Sequence, residues 1–194
     1  MAFLLVGCAR SPMSINSFDG LGWGTTRDSI IELRGQPGAQ TDDQLVYAVD
    51  EDFYGFTVDR HYFGFSGPCS DGVVDQRVAC DLQHGGYRLK SRSQSAITDD
   101  DYRRLQTQLT YQYGTPEVAS ETSRRLDANH NFLANARRST ATFVRDDGSY
   151  IQLYRFDYDR DHYWNQLLVS KDIQLLTLWF VSAEYAKQQR QHRY

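Results

Sequence analysis

Two short helices, each closed by a Gly-x-Pro stop, constrain this chain more than any other feature. The stops are Gly35-Gln36-Pro37 and Gly114-Thr115-Pro116, one in each half of the sequence. Glycine adopts the left-handed turn that ends a helix, and a proline just beyond cannot continue one. Thr25-Thr26-Arg27-Asp28 resembles a capping box, with Thr25 as N-cap and Asp28 in place of the usual Glu. Ile30, Ile31 and Leu33 supply the apolar face of that helix. The second helix opens at Thr98-Asp99-Asp100-Asp101, acids suited to the positive end of the helix dipole. Its Tyr102, Leu105, Leu109 and Tyr113 recur along one face.

Almost everything else reads as antiparallel strand. The chain holds 13 Tyr and 10 Phe against 4 Pro and 2 Met, and flat aromatic rings suit a pleated, half-buried surface. Strands are expected over 44–49, 56–65, 73–82 (extended by 87–89), 139–144, 150–156 and 173–181. Asp147-Gly148, in the connection 145–149, is a hairpin signal. Strand 173–181 is apolar on both faces, which suits a central position, and Ser182 can cap a short polar helix after it. The predicted fold is therefore α+β: two tandem α-β-β-β units sharing one antiparallel sheet, with both helices on one face. Residues 18–181 form a single domain of two related halves, about 18–92 and 93–181. Residues 1–17 precede it, and a polar helix or tail, 182–194, follows.

At 194 residues and 40% hydrophobic, the chain can build its own core without metal support. Its net charge of −4 offers no attraction for nucleic acid, which is recognised through basic patches. The run 187–193 is locally basic, and reads as a solvated helix end. No segment approaches the roughly 20 apolar residues of a membrane-spanning helix.

Leu5-Val6-Gly7-Cys8 looks like a lipobox, at which bacterial lipoproteins are cleaved and acylated on the cysteine. An apolar stretch would hold the site in the membrane while small Gly7 admits the peptidase. A signal peptide needs a basic start and 7–15 apolar residues, and only Met1 to Gly7 stand before the cysteine. Either the start is truncated or the match is accidental, with a buried strand ending in a free thiol as the alternative. Cys69 and Cys80 flank a strand-like run at a spacing that fits no CxxC motif. The spacing suits a loop-closing disulfide, which exported proteins use; two free buried thiols are the alternative. Membrane association would come through a lipid on Cys8 alone.

The run 18–26, with its Trp23-Gly24-Thr25 turn before the first helix and Gly35-Gln36-Pro37 after it, resembles an uncharacterised bacterial envelope domain. Tyr111-Gln112-Tyr113-Gly114-Thr115-Pro116 fits the same pattern in the second half. More remotely, the pattern is similar to the β-lactamase-inhibitor-protein-like fold, shared with a small outer-membrane assembly lipoprotein. The resemblance implies an exported binding or scaffold protein without an active site.

The residues themselves offer little chemistry. Asp157, Asp159 and Asp161 alternate like the start of a calcium loop, but His162 stands where the sharp turn needs Gly and Leu168 where a bidentate Glu is required. His61, His84, His130, His162 and His192 form no metal-binding pair, and no nucleophile elbow or P-loop occurs. No cofactor and no metal are expected. The aromatic runs 53–56 and 62–65 nominate Phe53, Tyr54, Phe56 and Tyr62 as a partner surface, since interfaces favour aromatic side chains. The expected role is a non-catalytic, protein-binding or scaffold lipoprotein of the periplasm. The alternatives are a secreted enzyme inhibitor presenting the loop 50–55, and an enzyme with a dispersed site.

Overall fold

The computed structural model describes residues 15–66, 80–92, 97–126, 132–158 and 175–191. A small ribbon comes first, β1 (Ser17–Phe18) paired with β2 (Leu21–Gly22) across Asp19-Gly20. Helix α1 (Arg27–Arg34) follows, with Thr26 rather than Thr25 as its N-cap, accepting from the Ser29 amide. Then come β3 (Ala39–Gln40), β4 (Gln44–Phe53), β5 (Phe56–Phe65) and β6 (Leu82–Ser91). Helix α2 (Asp99–Tyr113) carries a complete capping box, Thr98 with Asp101, and ends at Gly114. The chain continues through β7 (Glu117–Leu126), β8 (Phe132–Val144), β9 (Tyr150–Tyr158) and β10 (Leu175–Val181). Helix α3 (Ala183–Gln191) starts where Ser182 Oγ accepts from the Tyr185 amide at 3.1 Å.

The expectation of an α+β fold built from two tandem α-β-β-β units is overturned. Among the described residues the protein is mostly β: one eight-stranded antiparallel sheet in the order β3-β4-β5-β6-β10-β9-β8-β7, with a separate two-stranded ribbon. The helices are small attachments to it. The second half contributes four long strands, β7 to β10, where three were expected. The strand missed was β7, whose described side chains, 117–122, are all exposed, so it shows no apolar alternation. The strand expected over 73–82 falls mostly outside the described residues, and the third strand of the first half begins at Leu82 instead.

Register sorts the side chains onto two faces, because directly opposed residues of an antiparallel pair point the same way. One face carries Leu45, Phe63, Tyr87, Leu178, Phe180, Leu153, Ile151, Ala141 and Phe143, all buried. Ile30 of α1 and Leu105 and Leu109 of α2 complete that core. Arg34 lies over the Phe63 ring at 5.0 Å and Arg104 over Phe56 at 5.1 Å. Both helices thus cover this face. Phe18, from the ribbon, is 1% exposed and lies flat on β6 at Gly85. A side chain at Gly85 would come within 2.6 Å of Phe18 Cε1.

Candidate functional site on the open face

The face turned away from α1 and α2 is built differently. One register row crosses it from Val46 through Tyr62, Gly86, Trp179 and Gln152 to Thr142. The bare backbone of Gly86 lets the Trp179 indole lie against the sheet, with ring atoms 2.6 and 2.9 Å from where a Cβ would stand. Tyr62 flanks it at 5.5 Å between ring centroids, and Trp179 Nε1 donates to Thr177 Oγ1 at 3.0 Å. In the next two rows of this face Tyr154 and Phe156 stack at 6.5 Å, and Arg138 lies 5.9 Å from the Phe156 ring. Tyr62, Trp179, Tyr154 and Phe156 are all half-buried. Large apolar rings held in place yet still wet on one side are what partner surfaces are made of.

Polar groups frame the aromatics. Arg88 Nε donates to Asp59 Oδ1 at 2.6 Å, and Lys90 reaches the other Asp59 oxygen at 2.7 Å. Burial raises the Asp59 pKa, but hydrogen bonds from Arg88 and Lys90 outweigh it and hold the carboxyl below its ordinary value. At one end His84 fills the space above Gly64 and stacks on Tyr185 of α3 at 4.5 Å. Burial drives the His84 pKa down to about 4.

Two charged clusters lie on the helix-covered face. His61, fully buried, has Nδ1 3.0 Å from Asp19 Oδ2 and Nε2 3.5 Å from Glu51 Oε2. Neither approach has hydrogen-bond alignment, so these are close polar contacts and not hydrogen bonds. Arg34 pairs with the same Asp19 oxygen at 2.5 Å. Burial pushes Asp19 up, but His61 and Arg34 together hold it below its ordinary value. The arrangement ties the ribbon to α1, β4 and β5, and offers no nucleophile beside the histidine. The second cluster centres on Arg155, which pairs with Asp99 at the start of α2 and with Asp157 at 2.8 Å. Burial raises Asp157 despite that partner, and pushes the nearby Tyr102 phenol up to about 12. Among the described residues no group of three or more His, Cys, Asp or Glu is placed to hold a metal ion. Among them, too, no helix is long and apolar enough to cross a membrane.

The nominated residues scatter. Phe53 and Phe56 are core, at 4% and 0% exposed. Tyr54 is pinned to α2 by its hydroxyl, which hydrogen-bonds Gln112 Oε1 at 2.8 Å. Only Tyr62 stands on the open face. The supposed loop 50–55 is the end of β4 and a two-residue turn, with Tyr54 at φ 48° and Gly55 at φ 84°, the left-handed pair that a tight hairpin needs. Sequence reading missed Trp179, Tyr154, Phe156 and Arg138. The usable signal was Gly85-Gly86, two adjacent glycines in a strand, which mark a close approach on each face. Cys80 is disulfide-bonded, while Cys8 and Cys69 lie outside the described residues, as do His130, His162, His192 and most of the calcium-like loop. No protein-family model, no curated protein and no solved structure matches this chain.

Proposed function

We propose that this protein is a non-catalytic docking module of the bacterial cell envelope, tethered by lipid at Cys8, which binds a protein partner on its open sheet face. The observation that carries the reading is the row of half-buried aromatics over Gly86, Trp179 and Tyr62 first, with Tyr154, Phe156 and Arg138 beside them. Trp, Tyr and Arg supply most binding energy at interfaces, and rigid rings lose little entropy on docking. The tether rests on Leu5-Val6-Gly7-Cys8, and export is consistent with a Cys69–Cys80 disulfide, which we assign as the pairing of Cys80.

Photo-crosslinking in intact cells tests the surface. A photoreactive residue at position 62 should give one discrete adduct that Trp179→Ala abolishes. The same group at Tyr111, 96% exposed on α2, should give none. Equal adducts from both positions, or an adduct at 62 indifferent to Trp179→Ala, would refute the surface. A Cys8→Ala form exported through an unrelated leader separates the roles. A partner lost with Cys8 supports the tethered module, whereas one soluble enzyme captured by both forms would replace it with the secreted inhibitor.

A further inference from the structure

The two edges of the large sheet are finished differently. On one side β3 covers the start of β4, pairing Ala39 with Val46 and Gln40 with Leu45. Beyond that cover β4 is bulged between Ala48 and Glu51 and carries Asp50, Glu51 and Asp52. Bulges, short covering strands and charges are the devices by which proteins block strand addition at an edge. Among the described residues the other edge, β7, has no covering strand. Its one irregularity sits at the far end, between Arg125 and Leu126, and its charges are of both signs rather than a single acidic run. It pairs with β8 in unbroken register from Glu117 to Arg125. Its only proline neighbour, Pro116, stands before the strand, and Ala119, Ser120 and Thr122 are small. Val118 is 61% exposed. Among the described residues no strand pairs with its outer side.

The direction of its backbone groups follows from one contact. The Thr140 hydroxyl donates to the Ala119 carbonyl at 3.5 Å, so that carbonyl faces β8. Backbone groups alternate sides along a strand, which turns the N–H and C=O of Val118, Ser120 and Thr122 outwards. The strand also reads Glu117-Val118-Ala119-Ser120-Glu121-Thr122-Ser123-Arg124-Arg125, acidic in its first half and basic in its second. Such a strand complements itself only when antiparallel.

We infer that β7 is a self-association edge, pairing with β7 of a second copy of this chain about a two-fold axis normal to the sheet. Thr122 stands opposite its own counterpart, and Ser120 opposite Arg124 of the other copy. Arg125 then occupies the position opposite Ala119, diagonal to Glu117 and Glu121, where opposite charges stabilise the pair. The alternative centred on Glu121 would set two carboxylates face to face. A two-fold contact of this kind closes on itself and ends growth at a dimer. Both copies keep their open faces on the same side, so a partner would meet two aromatic surfaces on one continuous sixteen-stranded sheet.

The test is sedimentation equilibrium on the purified soluble chain, 22.4 kDa. A dilution series should reach on the order of 1 mM, because one strand pair is a small interface. The expected result is a concentration-dependent doubling of mass. Ser120→Pro removes an outward donor from each copy and leaves the β8 ladder intact, so it should weaken the dimer roughly tenfold or more. A monomer at every concentration, or a dimer unchanged by Ser120→Pro, would overturn the inference. Single Val118→Cys, Ser120→Cys and Thr122→Cys variants guard against a misfolded proline variant. Oxidative cross-linking should be strong only for Thr122→Cys, whose counterparts stand roughly 5.5 Å apart. The Ser120→Cys pair would be roughly 14 Å apart. Equal cross-linking at all three positions, or none, would equally overturn it.

Discussion

Placing a methyl group at Gly85 is the sharpest probe of how this sheet is built. Gly85 lies in β6 opposite Phe63 and Phe180, and the Phe18 ring rests on its bare Cα. An ideal Cβ there falls under 3.0 Å from three ring atoms of Phe18, a contact that real Cβ atoms essentially never show. Phe18 cannot swing aside into solvent, since it is 1% exposed and packed on Phe63, Tyr87 and Phe180 at 5.2, 4.9 and 5.6 Å. Overpacking a filled core costs about 1–3 kcal/mol. Because the obstruction is a whole aromatic ring, Gly85→Ala should fall near the upper end, lowering Tm by about 6–12 °C for a chain this long. Phe18→Ala alone should cost about 3–5 kcal/mol through the cavity it leaves. In the double variant the new methyl group occupies part of that cavity, so the combined loss should fall short of the sum by about 1–2 kcal/mol. Urea unfolding followed by tryptophan fluorescence measures all four corners of the cycle. Additivity within about 0.5 kcal/mol would refute the reasoning, since it would mean Phe18 does not press on Gly85.

Three further outcomes follow from the same geometry. Burial holds His84 at about 4 against an ordinary 6.5, so the unfolded chain binds the proton more readily between those values. Stability should therefore be intact above pH 6.5 and fall as pH drops towards 4, by at most about 3 kcal/mol. His84→Phe should flatten that part of a urea-midpoint profile against pH. Arg155→Met leaves the partly buried Asp157 without its cation, and should cost about 1–3 kcal/mol by thermal or urea unfolding. Rescue should come when Asp157→Asn is added. Peptide mapping without reductant should yield Cys69 joined to Cys80. Breaking that link should cost about 2–3 kcal/mol, the entropy of a short closed loop.

Much of the scaffold was legible in the residues. Thr98 to Asp101 announces a capped helix, Gly35 and Gly114 announce two helix ends, and Asp147-Gly148 sits at a hairpin turn, because caps and left-handed turns are made by residues adjacent in sequence. The alternation of β5 also separates Tyr62 from Phe63 without any knowledge of the neighbouring strands. The number of strands was less readable. The described side chains of β7, 117–122, are exposed on both faces and so lack the pattern that betrays a strand, although its backbone pairs residue for residue with β8 from Glu117 to Arg125. That omission made the protein look like two equal α-β-β-β units when it is one broad sheet with small helices.

What the sequence determined by itself was local: where helices start and stop, where hairpins turn, and which side of a given strand is apolar. Only the tertiary structure decided which of those sides meet. Phe53 and Phe56 look as available as Tyr62 in the sequence, yet the first two are buried in the core, Phe53 against Tyr87 and Phe56 beneath Arg104 of α2, while the third stands on the open face. Trp179 joins Tyr62 because β6 places Gly86 between them, a register set by pairing residues far apart in the chain. Periodicity reports the face of a strand. It does not report which strand lies beside it, because that choice is made by the packing of the whole sheet.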